Sequence, residues 1–337
     1  MKKTMSALLV TFLVVAVFGG TTVFAEGAKE PGSGQQYVIK MATPSNPEDS
    51  CVKAFFHFKE LVEKNSDGRI EVQVLHSGQL GGHRDYIEGL QMGSIQMAEI
   101  NTSVLSAIDD QFMIFDLPYI AKSVEHEIRV IEGGVGERLS KALEDKTGIK
   151  IIGWMVRTPR SVYNSKRPIR TANDFSGIKI RVMESPVMMK TMELLGAKPV
   201  PLAATERYMA LQTGVVDAAE NSPPLIITEK EYEVTEYLSL TEHFVTPNII
   251  AIDGKFLNKL PKDLQEIVLD AGKAAGKYAI QQDQDQLAGA IDTLKGLGME
   301  VNSISDKTSF INKVKPLYAE YQDRIGKDLI DVFVNTN

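Results

Sequence analysis

The sequence predicts an α/β fold arranged in two lobes, and three observations carry that expectation. Strand-like and helix-like patterns alternate from Tyr37 onward, the order that builds parallel sheets flanked by helices. The chain has 337 residues, long for one compact core and comfortable for two. Residues 262–297 contain no proline and are rich in helix formers. A single helix over that stretch is about 50 Å long at the standard rise per residue, more than the width of one lobe.

Taken in order, residues 37–42 form a short apolar strand. A helix over 48–65 follows, with Val52, Phe55, Phe56, Leu61 and Val62 close to a 3.6-residue period. Asp67-Gly68 makes a turn, and 70–75 alternates as a strand. Residues 85–92 are helical and 95–100 form a strand. The run 113–115 leads to a stop at Asp116-Leu117-Pro118, before a helix over 124–143 and a strand over 149–156. The theme then repeats. Strands at 161–164 and 179–182 are separated by Asp174-Phe175-Ser176-Gly177, and helices over 186–195 and 205–213 flank the apolar segment 199–202. Residues 215–220 and 248–252 are further strands. The long stretch 262–297 reads as one helix or as two broken near Gly272 and Gly276. The continuous form is preferred, because a lone interior glycine costs only around 1 kcal/mol.

The first residues have a different character. Lys2 and Lys3 precede an uncharged apolar stretch, roughly 7–18, which ends at Val23-Phe24-Ala25, the pattern of a secretory signal over residues 1–25. The apolar run is shorter than the ~20 residues a membrane span needs. No cysteine follows it, so a lipid anchor there is not expected, and 26–36, rich in Gly, Ser and Pro, reads as a tether. The expected location is therefore periplasmic. Cys51 is the single cysteine, so no internal disulfide can form and the core must hold the fold. Beside Phe55, Phe56 and Phe58 it reads as a small buried hydrophobe. The formal net charge is −7, and becomes −9 once the signal and its two lysines are removed. An acidic protein has no general attraction for nucleic acid or anionic membranes.

An enzyme would need a nucleophile, a metal site or a cofactor loop. There is no G-x-S-x-G, no Walker loop, and no second histidine at the required spacing after His126-Glu127. Gly133-Gly134-Val135-Gly136 lies in a helical pattern rather than between a strand and a helix. Five scattered histidines and one cysteine give no transition-metal spacing, and no cofactor is expected. The unusual chemistry is cationic: Arg157, Arg160, Lys166, Arg167, Arg170, Lys179 and Arg181 fall within 25 residues of an acidic chain. Most read as solvated surface. Arg181 differs, because it ends the apolar strand 178–182, where α/β sheets present groups to a ligand crevice. Buried there it needs a partner, either a protein acid or an anionic ligand whose carboxylate fits the guanidinium fork.

Five stretches in order, Ser77–Gly82, Phe115–Tyr119, Asn164–Ile169, Gly177–Val182 and Ala210–Asp217, followed by Glu220-Asn221, resemble the DctP/SiaP-like substrate-binding proteins of TRAP transporters. The resemblance covers nearly the whole chain from Tyr37. It implies a two-lobed periplasmic-binding-protein-like clamp with a long inter-lobe helix, lobe I comprising 37–157 plus 247–286 and lobe II 158–246 plus 287–337. It implies a monomer that takes a small carboxylate and passes it to a TRAP membrane permease. By the same resemblance Arg181 pairs with the carboxylate, Arg160 is a second arginine of the pocket, and Asn221 hydrogen-bonds the carboxylate end, where composition alone reads a turn residue before Ser222-Pro223-Pro224. Thr43, His83 and Asn101 match pocket positions of sialic-acid-binding relatives. Their plain readings are a loop hydroxyl, an exposed histidine and a strand-end asparagine. Glu184 either meets ligand hydroxyls or caps the helix from Pro186. Ala204 stands where some relatives carry a bulky aromatic, so sialic acid itself fits poorly. Sugar acids (uronates or aldonates) are the expected ligands, ahead of C4-dicarboxylates and other organic acids. A sugar-acid enzyme, a binding protein serving an ATP-driven importer and a sensor module are the remaining readings.

Overall fold

The computed structural model describes residues 36–337. The expected signal segment 1–25 and all of the tether but Gln36 lie outside them. Among the described residues no helix is long and apolar enough to cross a membrane.

Two sheets form the frame. The first has five strands in the order β2 (Ile70–Leu75), β1 (Tyr37–Ala42), β3 (Met97–Asn101), β10 (Asn248–Asp253) and β4 (Ile149–Met155). The second has six: β11 (Glu300–Ser303), β9 (Tyr237–Phe244), β5 (Arg160–Asn164), β8 (Ala218–Asn221), β6 (Lys179–Val182) and β7 (Lys198–Pro201). The chain passes between the sheets at 156–159 and 245–247. Both passages end in Thr-Pro, and proline holds the residue before it extended, which suits a strand-to-strand crossing.

The expectation of parallel sheets is corrected. Pairs such as β1–β2, β1–β3 and β6–β7 are parallel, but β10 runs antiparallel to β3 and β4, and β5 antiparallel to β8 and β9. Strands β5 and β10 are the ones that begin right after a crossing. They start at the seam and run away from it, whereas strands built by βα units run toward it. As a result the C-terminal ends of β1, β3, β4, β6 and β8 and the N-terminal ends of β5 and β10 all meet at the seam.

Residues Lys262–Gly296 form one unbroken helix. Its first half buries Leu264, Val268, Ala271, Ala275 and Ala279 in the core that covers one face of the first sheet, with Phe55, Phe58 and Val62 of helix Ser50–Asn65. Its last turns bury Leu294 in the core of the second sheet, with Tyr163, Leu238 and Met299. A third and larger core, including Ile100, Phe115, Val182, Met188 and Phe333, runs from the other face of the first sheet onto the second. The two suspected break points in the long helix are close-approach sites. A Cβ on Gly272 would lie 2.8 Å from the Ile152 carbonyl oxygen, and one on Gly276 would lie 2.7 Å from that of Trp154.

Other departures have local causes. The expected helix 124–143 is divided into Val124–Val130 and Gly136–Thr147 by a wide turn, in which Gly134 takes φ 108°. Residues 204–206 make a tight turn before helix Arg207–Gln212. Strand β8 begins at Ala218, three residues later than expected, because Gly214 turns the chain with φ 71°. Strands β9 and β11 and the C-terminal helices Thr308–Val314, Pro316–Ile325 and Lys327–Asn335 carry no sequence expectation. The last two helices pack on the segment Asp110–Asp116.

In an open helix, alanine in place of glycine gains about 1 kcal/mol. Gly289, with nothing within 4 Å of its would-be Cβ, is expected to show that gain. G276A is expected to lower the urea midpoint instead, because the β4 backbone has to move. A G276A protein at least as stable as G289A would contradict the close approach.

Candidate functional site

The strand ends at the seam line a cleft with two connected ends. One, about 40 Å³, has Ser45, His83, Glu99, Asn101, Arg157 and Asn248 on the first-sheet side. Opposite them stand Arg160, Arg207, Asn221, Leu225 and Glu229. The other end, about 180 Å³, is lined by Arg84, Asp85, Arg181, Glu184 and Leu202 among others. His83, Met183 and Ala204 belong to both ends.

Arg181 is only 1% exposed, yet among the described residues no carboxylate lies within ion-pair distance of it. Its Nε and Nη2 donate to the Leu202 carbonyl oxygen at 2.9 and 2.6 Å, and Nη1 is buried with no partner. Burial, reinforced by the neighbouring charge of Arg207, pulls its pKa down to about 9. The acid that acts on it, Glu220, is committed to Arg160.

The other arginines of the cleft are neutralised. Arg160 donates Nε and Nη2 to the Glu220 carboxylate at 2.5 and 2.9 Å, and Nη2 also reaches the Glu220 carbonyl at 2.7 Å. Burial raises the Glu220 carboxyl, but Arg160 outweighs it and leaves the group below its ordinary range. Arg157, at the first crossing, donates to Asp49 at 2.8 and 3.0 Å and to Asp283 of the long helix at 3.4 Å. Arg207 pairs with Glu231. Asn221 ends β8, and its Oδ1 accepts from the Ser222 N–H at 3.0 Å, while its buried Nδ2 has no partner. It is a strand-end residue facing the cleft, not a turn.

Glu99 is a buried acid inside the apolar strand β3. Burial raises its pKa against the pull of Arg157, and the Thr43 hydroxyl and Asn248 Nδ2 both donate to it. Thr43 therefore lies behind the cleft lining and orients Glu99. Asn101 donates to the Asn248 side chain at 2.6 Å and caps the short helix that follows by accepting from the Ser103 N–H at 2.9 Å. His83 is half-buried, with Nδ1 3.2 Å from the Glu99 carbonyl oxygen, and burial lowers its pKa to about 4, so it is neutral. Glu184 caps nothing. Ser185 is the cap of Pro186–Leu195, and Glu184 forms an ion pair with Arg84 at 3.1 Å. Cys51 is buried as expected, and its sulfur accepts from Arg157.

Known proteins share this fold. The model of the bacterial extracellular solute-binding proteins, family 7 (DctP), matches residues 41–324. The chain belongs to that family. A solute-binding protein of Chromohalobacter salexigens is 31% identical over 278 residues, covering 82% of each chain. Among solved structures, a TRAP periplasmic solute-binding protein from a Polaromonas species, bound to D-erythronate, superposes with TM-score 0.87 at 30% identity, covering 90% of this chain and 99% of that one. Another from a Sulfitobacter species, bound to β-D-galacturonate, gives TM-score 0.84 at 31% identity over 88% of this chain and 99% of that one.

Within this member of the family, the sequence pattern missed Glu99, Arg157, Arg207, Glu229 and Asn248. An acid in the middle of the apolar run 95–100 was a usable signal for Glu99. Arg157 was indistinguishable from the surface cations beside it, because its partners Asp49 and Asp283 lie more than 100 residues away in sequence.

One more buried acid spans the seam. Asp116 accepts from Ser103 at 2.5 Å and from Ser185, the cap of the second-sheet helix, at 2.6 Å. Burial raises it to about 7, against those two hydrogen bonds. An acid raised in the folded state favours folding when protonated. Its contribution is therefore complete below pH ~4 and is lost as pH rises from ~4 to about 7, by up to ~1.4 kcal/mol per pH unit. D116N is expected to flatten that part of the stability profile between pH 5 and 7.5, measured by urea unfolding. An unchanged difference between the two pH values would refute the assignment.

The arginines give a paired expectation for the ligand-free protein. R160M leaves Glu220 buried without its cation and should cost about 3–5 kcal/mol. R181M removes a charge that has no acid partner, and should cost far less or stabilise. Equal losses in the two variants would mean that Arg181 has a structural partner after all.

Proposed function

We propose that this protein is a periplasmic receptor that holds a small sugar acid, a uronate or an aldonate, between its two lobes and delivers it to a TRAP-type permease without chemical change. The observation that carries the reading is Arg181: a buried guanidinium with an unpartnered Nη1 and, among the described residues, no acid within ion-pair distance. A site that keeps an uncompensated cation out of water is built for an anion, since the ligand supplies the missing charge. Relatives of about 30% identity carry D-erythronate and β-D-galacturonate, both hydroxy-carboxylates.

With Nε and one Nη2 hydrogen turned to Leu202, the free edge of Arg181 is Nη1 with the second Nη2 hydrogen. A carboxylate set against that edge takes two parallel hydrogen bonds. Asn221 Nδ2 is a second unused donor on the same side of the cleft, and Arg160, whose Nε and Nη2 are committed to Glu220, has only Nη1 to offer. His83, Asn101 and Glu184 line the cleft, and with Glu99 they read the hydroxyls. Lobe I, 37–157 with 247–286, and lobe II, 158–246 with 287–337, close because only the closed form makes contacts from both sides at once.

The test is a thermal-shift series on ligand-stripped protein with galacturonate, galactonate, erythronate, succinate and the neutral sugar galactose. A ligand at 100 times its dissociation constant adds ~2.7 kcal/mol, several degrees for a chain of this size. Shifts are expected with acids and not with galactose, and R181A should abolish them. Shifts with the neutral sugar, or an R181A protein that binds acids as well as wild type, would sink the proposal.

A further inference from the structure

Resting on that reading, the charges of the cleft constrain the ligand further. Each arginine lining it except Arg181 has a carboxylate within ion-pair distance: Glu184 for Arg84, Asp49 for Arg157, Glu220 for Arg160 and Glu231 for Arg207. No lysine lines either end. The cleft therefore has one unmatched positive charge, and it sits at the larger end.

The smaller end has the opposite character. Glu99 shares Arg157 with Asp49 and Asp283, at the longer distance of 3.5 Å. Glu229, at the end of helix Pro223–Thr228, has no cation within 4 Å among the described residues. It accepts only from Asn46, from the backbone N–H at 3.3 Å and from Nδ2 at 3.1 Å. Burial raises its pKa to about 7, with Arg207 opposing the rise and Glu231 and Asp49 adding to it. Besides the unused donors of Asn221 and Arg160, this end presents two carboxyl groups that accept hydrogen bonds from hydroxyls, and no unpaired cation. Above pH 7, where Glu229 is ionised, a second carboxylate placed beside it meets a like charge with no cation of its own, a juxtaposition that is strongly unfavourable when desolvated.

We infer that the cleft selects a hydroxy acid with a single carboxylate, and that Glu229 is the residue that excludes the diacid formed when the ligand's far carbon, a CH2OH in an aldonate or the anomeric carbon in a uronate, becomes a carboxylate. Arg181 takes the one anionic group, and Glu99 and Glu229 accept from the hydroxyls at the other end. Specificity then comes as much from what the smaller end repels as from what Arg181 attracts.

Matched pairs isolate that charge. D-galactonate and galactarate differ only at the terminal carbon, as do D-erythronate and meso-tartrate. Titration calorimetry at pH 8.5, where Glu229 is ionised, on ligand-stripped wild-type protein is expected to show the diacid of a binding pair at least tenfold weaker than its monoacid. E229Q removes the like charge but keeps an amide oxygen that can accept from a hydroxyl, so it should narrow that ratio whatever it does to either affinity alone. E229D keeps the charge and should keep the discrimination, which covers the case of an amide variant that does not fold.

A diacid within tenfold of its monoacid, or tight binding of succinate alone, would overturn the inference and leave the carboxylate receptor intact. So would an E229Q protein that melts like wild type and discriminates as well. Binding of galactose alone would overturn both.

Discussion

Arg157 is the residue on which the architecture turns. It sits at the first crossing between the sheets and holds Asp49, which caps helix Ser50–Asn65, together with Asp283 from the middle of the long helix. Asp283 in turn accepts from the Thr158 N–H at 2.6 Å, so the crossing and the long helix are bonded at side chain and backbone. Burial disfavours the charge on Arg157, but the surrounding acids raise its pKa well above the ordinary value. Remove that one cation and several acids are left buried together, which is why the crossing, the long helix and the cleft wall form one unit. Buried ion pairs contribute little net stability and much to which arrangement is adopted, and here the arrangement chosen is the meeting of two sheets.

The same logic makes the exception legible. Arg160, Arg157 and Arg207 show that the chain supplies an acid wherever it buries a structural arginine in this seam. Arg181 is buried as deeply and receives only a carbonyl oxygen. A guanidinium so placed costs folding free energy, and strain of that kind persists at sites where a ligand removes it. The contrast among four neighbouring residues of one type is stronger evidence than the burial of any one of them.

Much of this was readable in the chain. Strands with apolar alternation, such as 37–42 and 70–75, were recognised because period and burial coincide. The long helix is legible because nothing in 262–296 opposes it, and the burial of Arg181 because it stands in an otherwise apolar strand. Strand direction was not readable. Local pattern says that β5 and β10 are strands, but their orientation follows from crossings between sheets. Strand β11 escaped because its apolar content is a single half-buried valine, Val301, beside β9, and the wide turn near Gly134 escaped because isolated glycines are tolerated in helices. Within the site, residues whose role depends on a distant partner were hidden. Arg157 and Arg170 look alike in sequence, yet one is buried among acids and the other is exposed.

Contacts across the seam bear on how such a receptor closes. Arg84 pairs with Glu184 and Asn46 with Glu229 at its margins, while Ser103, Asp116 and Ser185 join it more deeply. The marginal contacts are partly exposed, and contacts of that kind contribute of the order of 1 kcal/mol or less. In the proposed clamp, contacts this weak would favour the closed arrangement without holding it. A ligand can shift the equilibrium only by its differential affinity for the closed form. Cross-seam contacts of modest strength leave that margin to the ligand, and an unmatched cation supplies it. With net charge −7 the protein has no overall field to attract an anion. In the proposed receptor, capture then depends on one buried positive charge, whose neutralisation would be the strongest single interaction of the cleft. A ligand lacking the anionic group would leave that charge buried and unpaired, and the cleft would have little reason to close.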